Sequence, residues 1–350
     1  MEALEVSTIK QLYQNQKEET LFGKWITLND ILPLFKKHEK KFTIRTIGTS
    51  EQHRAIYSFT IGNGPKKILL WSQMHGNEST GTRAIFDLFN CFTNSNEAII
   101  QTIIKECTLV FVPILNPDGA ELYTRVNANG IDLNRDAVDR VAKESKLLRH
   151  LLEEFNPTFC FNLHDQRTIF NVEGTRNTAT ISFLAPSEEP TRAITTGRIA
   201  TMNVIVSMNA LLQKMIPNFV GRYTDEFYPT ATGDNFQKLG YNTILIESGH
   251  YQKDYHREKT RAYTFYSILQ GLYHISITST FKTYKDYFLI PNNDQLFLDV
   301  IHRFTDKEDI GYQYVDEIIK QQLVSKLVKI DDLDVSGKVG HHEIVFEIKK

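Results

Sequence analysis

The chain has 350 residues, 41% of them hydrophobic, and a formal net charge of −2. That length supports a sizeable core, in one large domain with an appendage or in two domains. The near-neutral charge removes any global case for nucleic acid or an anionic membrane as partner. The three cysteines, Cys91, Cys107 and Cys160, are too sparse for a disulfide framework and fit a reducing compartment.

The opening "MEALEVSTIKQLYQNQKEET" has no basic start followed by an apolar core, so no secretory signal is expected. No apolar run approaches the roughly 20 residues of a membrane span, so a cytoplasmic protein is expected. Residues 1–42 read as a helical lead-in. "FTIRTI", "RAIYSFTIG" and "KKILLW" are β-rich runs, the last two separated by the turn "GNGP". From Ser79 the pattern becomes helical, with Ala84, Ile85, Leu88 and Phe89 on one face. "CTLVFVPI" is apolar throughout and suits a strand buried on both faces. A long polar loop follows, "LNPDGAELYTRVNANGIDLNRD".

Leu147, Leu148, Leu151, Leu152 and Phe155 mark a helix ended by Asn156–Pro157. "TFCFNLH" and "TISFLAP" are strands, and 190–214 is a helical stretch predicted to bury Ile194, Ile199, Met202, Ile205 and Leu212. "YNTILIESG" is the last strong strand, and "TRAYTFYSILQGLYHIS" a closing helix with Phe265, Ile268, Leu269 and Leu272 inward. This alternation predicts an α/β fold: a mixed, largely parallel sheet of about eight strands with helices on both faces. The predicted division is a lead-in at 1–42, a main α/β domain at 43–279 and an appendage at 280–350. The appendage holds an amphipathic 313–328 stretch and a weakly ordered-looking "DDLDVSGKVGHHE".

Open α/β sheets place their sites at strand ends. His75 and Glu78 follow "KKILLWSQM", and His164 closes "TFCFNLH". Two nitrogens and a carboxylate, with a fourth position left for water, form the hydrolytic zinc pattern. Singly, each is as well read as a polar strand-end residue. Arg125, Asn127, Asn134 and Arg135 share the polar loop and suit an anionic group, since arginine grips carboxylates bidentately and stays charged; the plainer reading is a solvated loop. Glu247 leaves the apolar run "NTILI", where a carboxylate is costly unless paired, hydrogen-bonded or used. Beside a metal-bound water it could serve as general base. Cys160 near His164 could suggest a cysteine hydrolase, but a cysteine within "FCF" is better read as core.

Together these segments resemble the zinc carboxypeptidase family, also called funnelins, over roughly 43–275. "HGNE" is similar to its zinc motif, "NPDG" to its turn after the next strand, and "TRVNANGIDLNRD" to its substrate segment, especially in bacterial members such as murein peptide amidases. "FNLH" resembles the third-ligand strand and "TILIESG" the strand of the catalytic glutamate. The resemblance implies one zinc ion held by His75, Glu78 and His164, with Glu247 as base and then acid. It implies Arg125 on the scissile carbonyl, and Asn134 and Arg135 on the free carboxylate of a peptide or small amide. It implies no nucleic-acid or membrane partner. Tyr223, Tyr228 and Tyr251 are candidates to cap the substrate, and Asp234 could favour a basic side chain or cap a helix. Two departures stand out: Asp136 beside the clamp, and Asp165–Gln166–Arg167 after His164. An aspartoacylase-like deacylase and a non-catalytic binding protein are the alternatives on the same fold.

Overall fold

The computed structural model describes residues 3–331 and 333–347. The strands are β1 (Thr43–Thr49), β2 (Ala55–Ile61), β3 (Lys66–Trp71), β4 (Cys107–Val112), β5 (Phe159–Asp165), β6 (Phe170–Val172), β7 (Ile181–Leu184), β8 (Val220–Arg222), β9 (Asn242–Ser248), β10 (Asn293–Gln295), β11 (Phe297–Phe304), β12 (Ile310–Ile319), β13 (Gln322–Lys329) and β14 (Val339–Phe346). The helices are α1 (Val6–Gln16), α2 (Leu28–Ile31), α3 (Phe35–His38), α4 (Thr80–Asn94), α5 (Ala98–Glu106), α6 (Pro117–Leu122), α7 (Lys143–Phe155), α8 (Thr196–Gln213), α9 (Thr232–Lys238) and α10 (Glu258–Ile277).

The principal sheet has eight strands in the order β1-β2-β4-β3-β5-β9-β7-β8. Its centre is parallel: β4, β3, β5 and β9 run side by side in one direction. β2 joins β4, and β7 joins β9, antiparallel. Alternation along the central strands divides their apolar residues between two cores. Ile68, Leu70, Phe159 and Phe161 pack with α4, α8 and α10. Leu69, Trp71 and Cys160 pack with Leu148 and Leu152 of α7 and Phe236 of α9. The expected architecture, eight strands covered on both faces, is therefore the one observed.

Several expectations need correction. The polar stretch after β4 is not a plain loop: Pro117 and the Asn116 side chain, which accepts from the Gly119 N–H at 2.8 Å, start α6. Ile194 is 39% exposed, because Thr195 caps α8 and the helix begins at Thr196. The amphipathic 313–328 stretch is a hairpin, β12–β13, whose turn residues Lys320 and Gln321 have φ of 49° and 62°. "GHHE" lies in β14, which runs parallel to β11; within that stretch Asp332 lies outside the described residues, as do residues 1–2 and 348–350. β10 to β14 give two small sheets, β10 pairing with β6, and a four-stranded β13-β12-β11-β14. Among the described residues no helix is long and apolar enough to cross a membrane.

Candidate active site at the carboxyl ends of the central strands

Register alone brings two of the singled-out residues together: His164 on β5 is the direct partner of Glu247 on β9. Trp71, the last residue of β3, pairs with Asn162 two residues before His164. The chain then turns through Ser72–Ser79 into α4, carrying His75 and Glu78 over the same strand ends. Gln73 pins that turn: its amide donates to the carbonyls of Ile26 and Gly76 at 3.0 and 2.9 Å and accepts from Thr82 Oγ1 at 2.7 Å. At Gly76 a Cβ would lie 1.9 Å from the Gly119 carbonyl carbon, so only glycine lets α6 approach the turn. The "NPDG" segment is thus a brace, with Asn116 Nδ2 donating to the Met74 carbonyl at 3.2 Å.

His75, Glu78 and His164 are all buried, and one ligand atom from each lies within 4.8 Å of the others. His75 Nδ1 is 2.8 Å from Glu78 Oε1, His164 Nδ1 is 2.9 Å from Glu78 Oε2, and the two Nδ1 atoms are 3.2 Å apart. His75 Nε2 lies 3.0 Å from Asp132 Oδ1. A carboxylate only accepts, so both His75 nitrogens donate, Nε2 to Asp132 and Nδ1 to Glu78; burial opposes charge on the ring, but Glu78 and Asp132 outweigh it and raise its pKa. A metal ion held here would replace the Nδ1 proton and leave Nε2 donating to Asp132. The donor set and the carboxylate behind the first histidine fit zinc.

Burial opposes charge on Glu78, but His75 and His164 outweigh it and hold the carboxyl well below its ordinary range. Asp132 is likewise held low despite partial burial, by its hydrogen bond to His75 and by the charges of His75 and Arg125. Glu247 goes the other way: burial, then the Glu78 and Asp165 carboxylates, push it well above the usual value. No hydrogen-bond donor among the described residues reaches its carboxylate, which faces an 810 Å³ cleft.

Arg125, Asn134, Arg135, Asp234, Tyr223 and Tyr228 line that cleft with the three candidate ligands. Asp132 organises the arginine loop, accepting from Arg125 Nε at 2.9 Å and from the Asn134 N–H at 2.9 Å. Arg125 also reaches Glu78 at 3.3 Å. Asn134 Oδ1 accepts from the Thr232 N–H at 3.1 Å, which ties the clamp to α9. Asp234 stands in the first turn of α9, not at its cap; it accepts from the Tyr228 N–H at 3.1 Å, and burial lifts its pKa to about 6. Tyr223 is half-buried and its pKa is raised by burial and by Glu247, whereas Tyr228 is half-exposed and donates to Glu226 at 3.1 Å.

Other expectations fail. Tyr251 packs on Phe219 and Tyr263, away from the cleft, so it cannot cap a substrate. Asp136 does not touch Arg135; both its oxygens accept from N–H groups, of Val141 and Ala142, at 2.9 Å. Asp165 turns back to Thr80 at the start of α4, at 2.8 Å from Oγ1. The expectation for Cys160 holds: it is core, and burial pushes its thiol far up. Sequence reasoning missed Asp132 and Arg257, whose guanidinium binds the Gly249 and Gln166 carbonyls at 3.1 and 2.6 Å beside Glu247. For Asp132 the only local signal was its place seven residues after Arg125 in the polar loop; Arg257 had none.

Residues 30–190 match the family described as zinc carboxypeptidase. Carboxypeptidase SOL1 of Arabidopsis thaliana is 29% identical over 177 residues, covering 45% of this chain and 36% of that protein. The human carboxypeptidase N catalytic chain is 32% identical over 119 residues, covering 27% of this chain and 26% of that one. The match thus spans about a third or less of these relatives' length. A metallo-carboxypeptidase structure from Burkholderia cenocepacia superposes with a TM-score of 0.58 at 15% identity, over 71% of this chain and 69% of that one. Carboxypeptidase A from Helicoverpa armigera gives 0.53 at 13%, over 78% and 81%. These two likenesses establish the fold.

Proposed function

From the premise that the chain carries a zinc carboxypeptidase family domain, we propose that it is a zinc-dependent hydrolase of peptide or small amide bonds next to a free carboxylate. His75, Glu78 and His164 would hold one zinc ion, which when bound supplies Lewis acidity and an acidified water. Glu247 accepts a proton from the attacking water and delivers it to the departing amine nitrogen. The Arg125 guanidinium donates to the scissile carbonyl oxygen, where negative charge grows as the tetrahedral intermediate forms. Arg135, with the Asn134 amide beside it, takes the free carboxylate. Asp234, Tyr223 and Tyr228 surround the side chain of the released residue, and Asp234 favours a basic one. Three free, buried cysteines support a reducing, cytoplasmic setting.

One observation carries this reading. Three convergent ligand atoms, a glutamate with no protein donor and a loop with two arginines open onto one cleft. The zinc-loaded protein is expected to cleave peptides with free C-termini and spare those with blocked ones. Glu247→Gln should keep its zinc and lose about 10²–10⁴-fold in kcat. Full activity with metal retained removes Glu247 as base, and equal cleavage of blocked and free peptides removes the clamp. Preference for N-acyl amino acids over all peptides would instead make the protein an aspartoacylase-like deacylase.

A further inference from the structure

The cleft that holds the candidate ligands is closed on one side by residues far along the chain. Asp299 of β11 and Gln313, Tyr314, Val315 and Asp316 of β12 line the same cavity as His75, Glu78, His164 and Glu247. The sheet carrying them is seated on segments that surround the site. Lys24 forms an ion pair with Asp316. Tyr255 donates to Asp299 Oδ1 at 3.2 Å and stacks edge-on against Tyr314, with ring centres 5.3 Å apart. Asp299 also accepts from the Tyr314 N–H at 2.8 Å, locking β11 to β12 at the cleft. The His341 ring sits 2.9 Å from the Thr168 carbonyl and 4.4 Å, centre to centre, from the His250 ring. The Phe297 N–H donates to the Ile169 carbonyl at 3.1 Å. Asp299 and Phe297 are only 2% and 6% exposed, so this contact is packed and fixed.

The clamp at Asn134 and Arg135 is held from elsewhere, through Asp132 and Thr232. The sheet is held instead by Lys24, Tyr255, Thr168 and Ile169, so clamp and sheet reach the same cleft on separately anchored segments. The cleft volume, 810 Å³, falls within the roughly 300–1,000 Å³ of small-ligand pockets.

We propose that the C-terminal sheet is a length-limiting wall: strands β11 and β12 restrict the residues that can precede the scissile bond, so the substrate is a short peptide. This rests on the peptidase reading above and adds a substrate class to it. It gives residues 297–346 a part in selection without a part in the chemistry. Tyr314 and Val315, 37% and 43% exposed, are the wall positions that can be trimmed without opening a core.

The test uses the full zinc-loaded chain and a dipeptide, a tetrapeptide and a decapeptide sharing one C-terminal residue. Wild-type kcat/KM should fall by about tenfold or more from tetrapeptide to decapeptide, the scale of a steric misfit of ~1.4 kcal/mol. In Tyr314→Ala/Val315→Ala the decapeptide-to-dipeptide ratio should rise toward one. Calorimetry on Glu247→Gln should show the same order of affinities without turnover. Equal binding and cleavage of tetrapeptide and decapeptide by the wild type, or an unchanged ratio in the double variant, overturns the wall alone. If no peptide of any length is bound or cleaved, the peptidase reading falls and the wall with it.

Discussion

The body that carries the candidate site and the C-terminal sheet are built to different standards. The body sandwiches its principal sheet between two apolar cores and pairs charges deep inside: Arg261 and Asp87, both 0% exposed, form a bidentate pair at 2.6 and 2.8 Å. The β11–β14 sheet has a core of Leu298, Ile301 and Val335, and many of its outer side chains, from Val315 to Phe346, face solvent. Three apolar residues cannot offset the ordering entropy of a sheet this size. Its order therefore comes from the seam with the body. The candidate site, which would need atoms held rigidly, sits on the body's central strands; the proposed wall would only have to occupy space and can be the less stable part.

The largest expected effect lies inside the body. Asp87→Ala removes the buried bidentate partner of Arg261, leaving the longer contact to Glu258 at 3.5 Å as its remaining ion pair, and should cost about 3–5 kcal/mol, read as a global fall in the denaturation midpoint. A loss below ~1 kcal/mol would mean that the body's interior is no more demanding than the seam. Next comes the site itself. Asp132→Asn keeps the shape but weakens the carboxylate behind His75, so zinc affinity should drop by about 10–100-fold with little change in melting of the zinc-free protein. Unchanged affinity in a competition titration would make Asp132 a loop brace only.

The seam should show smaller effects. Lys24→Ala removes a partly exposed ion pair with Asp316 and should cost about 0–1 kcal/mol, with faster amide exchange confined to β11–β14. Exchange rising equally throughout the body would deny the sheet its separate stability. Burial, then the charges of His341, Arg257, His342 and Lys24, hold His250 down to about 2, and burial lowers His341 as well. The unfolded chain takes up a proton at these histidines near pH ~6.5 while the folded seam resists it. Their contribution is therefore present above about 6.5 and is lost as the pH falls. Protection of amides in β11 and β14, relative to the intrinsic exchange rate at each pH, should be lower at pH about 5 than at about 7.5, and equal protection at both would exclude this pair as the acid-sensitive part of the seam.

How legible these features were depended on how local their causes are. His75, Glu78, His164 and Glu247 could be read because each ends or follows an apolar run, and a strand's end is announced by its own residues. Asp132 could not, because nothing in "GIDLNRD" says which way a carboxylate turns. Its partner His75 is 57 positions away, and Asp136, equally acidic and only four residues on, faces a backbone turn instead.

By itself the sequence determined the eight-stranded alternation and singled out the candidate ligands and the general-base candidate, because periodicity and strand-end chemistry act over a few residues. Tertiary structure alone decided the strand order, the direction of Asp136, the exclusion of Tyr251 and the placing of Tyr314 and Val315 in the wall of the cleft. These follow from pairings between distant segments, whose energies come from packing and register that no short stretch contains.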